Sequence, residues 1–171
     1  EEYFYFIGEL RGQNKADVDA LLKKYEEFFN NEILNTKKYL RDLSKGNMKK
    51  VGIIATLIGN PEVVILDEPF ANLDKNIKTQ LRNEIRKLQK SINITTIMVT
   101  HDHEEALSNS DFIGIMHEGK LLQFGDPKTI YEKPDSRFVA GFLGETNIIP
   151  AKFFNIANKG MVHIRPEKIK T

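Results

Sequence analysis

Apolar residues fall into two rhythms along this chain, and the switches between them mark its elements. Between residues 15 and 30, Val18, Leu21, Leu22, Tyr25, Phe28 and Phe29 recur at helical spacing among Lys23, Lys24, Glu26 and Glu27, which predicts an amphipathic helix. A second helix is predicted over 48–59, where Val51, Ile54, Ala55 and Ile58 share a face before Asn60-Pro61 stops the run. Val63-Val64-Ile65-Leu66 then breaks the helical rhythm. This unbroken, mostly β-branched stretch predicts a strand buried on both faces, as in a parallel sheet covered by helices. Ile77, Leu81, Ile85 and Leu88 predict a helix over 75–91, and 94–99 reads as a second buried strand. Short strands at 112–117 and 121–124 flank Glu118-Gly119-Lys120, a hairpin signal. Asp126-Pro127 opens a further helix, 136–143 is another that Gly144 ends, and 147–151 and 162–167 read as strands around a polar loop. The order predicts an α/β fold: a mostly parallel sheet with flanking helices, a helical subdomain, and a partial β appendage at the C-terminus.

Composition narrows the partners. Lys and Arg number 25 against 24 for Asp and Glu in 171 residues, so no bulk field favours nucleic acid, and no nucleic-acid partner is expected. There is no cysteine, which excludes disulfides and thiolate metal sites and fits a reducing cytosol. No apolar run approaches the roughly 18 residues of a membrane span, so a membrane role is expected to come through a partner. The first residues, Glu1-Glu2-Tyr3, lack a methionine, as expected of a fragment or a processed chain.

The candidate chemistry sits where strands leave the core. Asp67 and Glu68 follow Leu66 directly, at the strand edge where open α/β sheets bind ligands. Oxygen ligands there suit Mg²⁺ carrying a phosphate, and a second carboxylate is placed to orient a water. Pro69, without an N–H, ends the ladder. His101 ends the second strand as Asp67-Glu68 ends the first, which predicts the same sheet edge. With its neighbour His103 it makes a pair of histidines without a further ligand cluster, so no zinc site is predicted. Ser44 and Gly46 stand at the mouth of a helix, where a hydroxyl and bare N–H groups make an anion site, and where Ser44 serves equally as a plain N-cap. Asp74 likewise reads as a helix cap, and Asp102 with Glu105 as a capping box.

Taken together, Leu43-Ser44-Lys45-Gly46-Asn47, then Val63 through Glu68, then Asn72-Leu73-Asp74, then Thr100-His101-Asp102 resemble the ATPase subunit of ATP-binding cassette transporters, with its signature loop, Walker B strand, D-loop and switch histidine. The resemblance implies ATP and Mg²⁺ as cofactors. It implies Asp67 on the metal and Glu68 and His101 as catalytic residues. It further implies Ser44, Lys45, Gly46, Asn47 and Asp74 facing the nucleotide of a second ATPase subunit. Integral membrane subunits would be the other partners, placing the protein in the cytoplasm at the inner face of the plasma membrane. The usual signature has Gly where Lys45 stands and Gln where Asn47 stands. The residues up to about Asp74 look exporter-like, whereas 100–107 and Arg165-Pro166-Glu167 look like importer ATPases for maltose, polyamines or iron. Residues 1–60 would then be the helical subdomain with the signature loop, 61–145 the C-terminal part of the ATPase core, and 146–171 the start of a small regulatory β domain.

No Gly-x-x-x-x-Gly-Lys-Ser/Thr run occurs in the 171 residues, and in this family that loop cradles the β- and γ-phosphates. Little or no ATPase activity is therefore expected of the chain by itself. Two rivals follow from the same residues: a non-catalytic module lending a signature surface to a complete partner, and a soluble cassette ATPase unconnected with transport.

Overall fold

The computed structural model describes residues 1–29, 32–36, 38–154 and 160–169. They form two compact units, Glu1–Thr100 and His101–Thr171.

The first unit opens with α1 (Glu2–Leu10), a helix the sequence reading does not anticipate, and α2 (Lys15–Lys24). Asn14 starts α2 with a reciprocal cap: its side chain accepts from the Asp17 N–H at 3.0 Å and the Asp17 carboxylate accepts from the Asn14 N–H at 3.1 Å. Gly8 lets the two helices meet, because a Cβ there would lie 2.5 Å from Val18 Cγ2. The helix predicted over 15–30 stops at Lys24; a single 3₁₀ turn at Glu26–Phe29 follows, and Asn30 lies outside the described residues. That turn swings Phe28 and Phe29 into the core, where Phe29 meets Phe4 with ring centroids 5.9 Å apart.

Helix α3 (Lys45–Leu57) begins at Ser44, whose Oγ accepts from the Asn47 N–H at 3.2 Å. Strand β1 (Val63–Asp67), helix α4 (Lys75–Ile92) and strand β2 (Thr95–Val99) complete a βαβ unit, with β1 and β2 parallel and Asp67 in register with Val99. Val64 and Leu66 enter the same core as Val51, Ile54, Leu81 and Leu88. The expected burial on both faces is corrected here: Ile65 is 65% and Ile97 50% exposed, and Val63 and Val99 are exposed beside them. Among the described residues, helices cover one side of this pair; the β-branched run is suited to a second cover that the described residues of this unit do not supply. An ion pair between the buried Lys50 Nζ and the half-buried Glu84, at 2.7 Å, ties α3 to α4.

The second unit holds α5 (His103–Asn109), capped by Asp102, and the hairpin β3 (Ile113–His117) and β4 (Lys120–Gly125). Glu118 and Gly119 both take positive φ, 48° and 73°, the geometry a tight two-residue hairpin turn requires. Ile113 and Ile115 pack with Ile130, Val139 and Leu143 from α6 (Pro127–Glu132) and α7 (Arg137–Phe142) and the residue after it. Strands β5 (Asn147–Pro150) and β6 (Met161–Ile164) pair antiparallel, and part of the loop between them, residues 155–159, lies outside the described residues. The strand predicted over 162–167 ends early because Arg165 turns inward. Its buried guanidinium donates through Nη1 to the carbonyls of Ala140 at 2.9 Å, Gly144 at 3.0 Å and Glu145 at 3.2 Å, and it lies over the Tyr131 ring. The α/β expectation holds, with parallel pairing confined to β1 and β2 and the other two strand pairs antiparallel. No helix among the described residues is long and apolar enough to cross a membrane.

Candidate active site

The C-terminal end of β1 gathers most of the candidate groups. Asp67 is the last ladder residue, and Glu68 immediately leaves the β region, with φ +44°. A left-handed conformation disfavours a side chain with a Cβ, so the position must be held. Backbone and side-chain hydrogen bonds hold it. The Glu68 N–H donates to Val99 O at 2.9 Å; its carbonyl accepts from the Ala71 N–H at 3.1 Å and from Lys49 Nζ at 3.1 Å. Phe70 is buried just beyond and anchors the turn, and Asn72, φ +63°, bends the chain toward Asp74.

Asp74 performs the cap read from the sequence: Oδ1 accepts from the N–H groups of Asn76 at 3.1 Å and Ile77 at 3.0 Å and starts α4. At the head of α3, Ser44 and Lys45 are exposed, whereas Gly46 is buried with a Cβ position 3.0 Å from Ile77 Cγ2. Gly46 therefore has a packing reason to be glycine, since a larger residue would press α3 away from α4. Asn47 reaches back 15 residues, its Nδ2 donating to Glu32 at 2.7 Å.

An open groove of about 520 Å³ runs between α3 and the end of β1. Lys45, Met48, Lys49, Gly52 and Thr56 form one wall at helical spacing, and Ile65, Asp67, Pro69 and Asn72 form the other. Of the predicted site residues, the groove brings Lys45 and Asp67 together; Ser44, Gly46 and Asn47 stay at the head of α3, Glu68 at the strand end and Asp74 at the start of α4. His101 begins the second unit, two residues along the chain from Val99. Sequence reasoning missed Lys49. Its signal is weak but present: it follows Lys45 by four residues, so both lie on one face of α3.

No group of three or more His, Cys, Asp or Glu side chains among the described residues is arranged to hold a metal unaided. The donor set of Asp67 and its neighbour Glu68 fits a small hard cation that keeps water and phosphate oxygens in its shell, which is how Mg²⁺ is usually held.

A parallel strand ending in Asp-Glu, a βαβ turn and a serine-glycine helix head define a class of protein, the ABC-type ATPases, and residues 3–71 match the ABC transporter family. The chain belongs to that family. Among the particular proteins it is similar to are the Fe(3+) ions import ATP-binding protein FbpC of Escherichia coli O157:H7, 38% identical over 77% of this chain and 43% of the relative, and FbpC 1 of Pectobacterium atrosepticum, 39% identical over 83% of this chain and 40% of the relative. A solved structure, cbiO1 from Clostridium perfringens, part of the ABC transporter complex cbiONQ, superposes with a TM-score of 0.65 at 27% identity, covering 76% of this chain and 53% of that one. The chain spans about two fifths of the length of the iron-import relatives.

Proposed function

We propose that these residues are the C-terminal portion of an ATP-binding subunit that couples ATP hydrolysis to transmembrane transport. The observation that carries the reading is the left-handed Glu68, pinned by bonds from β2, Ala71 and α3 immediately after a strand that ends in Asp67. In this reading Asp67 holds Mg²⁺, directly or through water, Glu68 polarises the attacking water, and His101 contacts the γ-phosphate. Bound Mg²⁺ would supply neutralisation of phosphate charge. Ser44, Lys45, Gly46, Asn47 and Asp74 face the nucleotide of a second ATPase subunit, and membrane subunits receive the motion of closure at the cytoplasmic face. The division at 1–60, 61–145 and 146–171 into helical subdomain, core and regulatory β segment belongs to the same proposal.

Phosphoryl transfer depends on positioning and charge neutralisation, so a site without a phosphate cradle is expected to bind ATP weakly. The isolated chain should therefore hydrolyse little or no ATP, whereas a full chain in which a Walker A segment precedes residue 1 should turn over. Measured ATP hydrolysis by both checks this; equal, robust turnover by the isolated chain would contradict it.

A further inference from the structure

We propose that Lys49 is a positioning residue for the hydrolytic carboxylate, a proposal that rests on the reading of Glu68 given above. Glu68 sits in a backbone conformation that a side chain resists, and what fixes its carbonyl decides where its carboxylate points. A carbonyl oxygen has two acceptor positions; the Ala71 N–H takes one at 3.1 Å and the Lys49 ammonium takes the other at 3.1 Å. The first bond is local to the turn. The second spans 19 residues of chain and comes from a different element, so it ties the carbonyl to α3 as the bond from the Glu68 N–H to Val99 O ties the amide to β2.

Its origin gives it a second consequence. Lys49 lies one turn into α3, the helix whose first residues follow Ser44 and include Lys45 and Gly46. The helix is packed along its buried face, and a close-packed interior transmits strain. A displacement of the Ser44 corner is thus passed through Lys49 to the carbonyl of Glu68, beside the packing that already joins α3 to β1. The half-buried position of Lys49, in the wall of the groove beside Asp67, screens that bond less than an exposed one.

The test is ATP turnover by a chain that carries a Walker A segment before residue 1. Lys49→Met removes the ammonium but keeps an unbranched, helix-compatible side chain. It is expected to lower kcat by about 10- to 100-fold while KM for ATP stays within about twofold, because it misplaces a reacting group without touching the nucleotide. Lys49→Arg keeps a cationic donor and is expected to restore kcat to within about fivefold of the parent. An unchanged kcat in Lys49→Met, or a raised KM with kcat intact, would overturn the proposal. Should the Met variant melt below the assay temperature, the Arg variant decides, a kcat near the parent supporting the role and a tenfold loss refuting it. Glu68→Gln, measured beside them, separates the two layers: if it abolishes turnover while Lys49→Met leaves kcat alone, the Lys49 role fails by itself. If Glu68→Gln retains turnover, the reading of Glu68 fails and takes the Lys49 role with it.

Discussion

At the scale of single residues, the acidic pair is the part most open to reading from sequence, because an apolar strand with one face in the core that ends in Asp67-Glu68 puts those carboxylates where it leaves the core. The contortion of Glu68 and its bond from Lys49 were not legible, since both depend on where α3 packs against β1. Capping was legible from composition alone at Ser44, Asp74, Asp102 and Asp126, each of which accepts from an N–H of its own first turn. Asp74→Ala should cost about 1 kcal/mol of stability in thermal or urea melts, with no change beyond the first unit. Titration carries a second expectation. The Tyr5 hydroxyl donates to Asp19 at 2.7 Å, and this bond, with some burial and the charges of Asp19 and Glu1, pushes its pKa up from 10.0 to about 12. Because the folded state holds that proton more tightly, the stability it contributes is complete below pH 10 and is lost as pH rises through about 12. Phenolate absorbance should show a late-titrating tyrosine that disappears in Tyr5→Phe. At the acid end, the Asp126 carboxyl is held down by its bonds from Thr129, and Glu167 by its own backbone N–H and then the Tyr131 hydroxyl. Their contributions are present above the ordinary carboxylate range and fade as pH falls through the lowered values.

Among the elements, those with an unmistakable period came through. Helix α4 was expected over 75–91 and runs Lys75–Ile92, and the hairpin turn falls on Glu118-Gly119 as its residues demand. Where the reading failed, tertiary contact outweighed local rhythm. The predicted helix over 15–30 breaks after Lys24 because Phe28 and Phe29 fit the core as a tight turn, packed on Phe4 of the unanticipated α1. Helix α1 was hidden since much of its apolar surface, Phe6 and Leu10, is exposed and so blurs the stripe. Its contact with α2 rests on Gly8, and Gly8→Ala should destabilise the chain by about 1–3 kcal/mol through the clash with Val18, as a denaturant midpoint would register. The β5–β6 ribbon depends in the same way on Arg165. Replacing it by Met leaves the carbonyls at the end of α7 without their donors, and faster amide exchange in β5 and β6 is expected, with the hairpin little affected.

For the whole molecule, the bare face of β1 and β2 is the feature the sequence stated and the structure leaves open. Ile65 and Ile97 are suited to an interior, yet they stand at 65% and 50% exposure in a chain that spans about two fifths of its relatives. An apolar face of this kind drives self-association. The isolated chain should therefore associate in sedimentation measurements, and the Ile65→Thr, Ile97→Thr pair should reduce association without lowering the melting temperature. In the proposed function Glu68 is the group that acts on water. Turnover and nucleotide binding of Glu68→Gln, in a full chain with a Walker A segment before residue 1, test that most directly. Hydrolysis should vanish while ATP binding stays close to that of the parent; turnover equal to the parent's would contradict it.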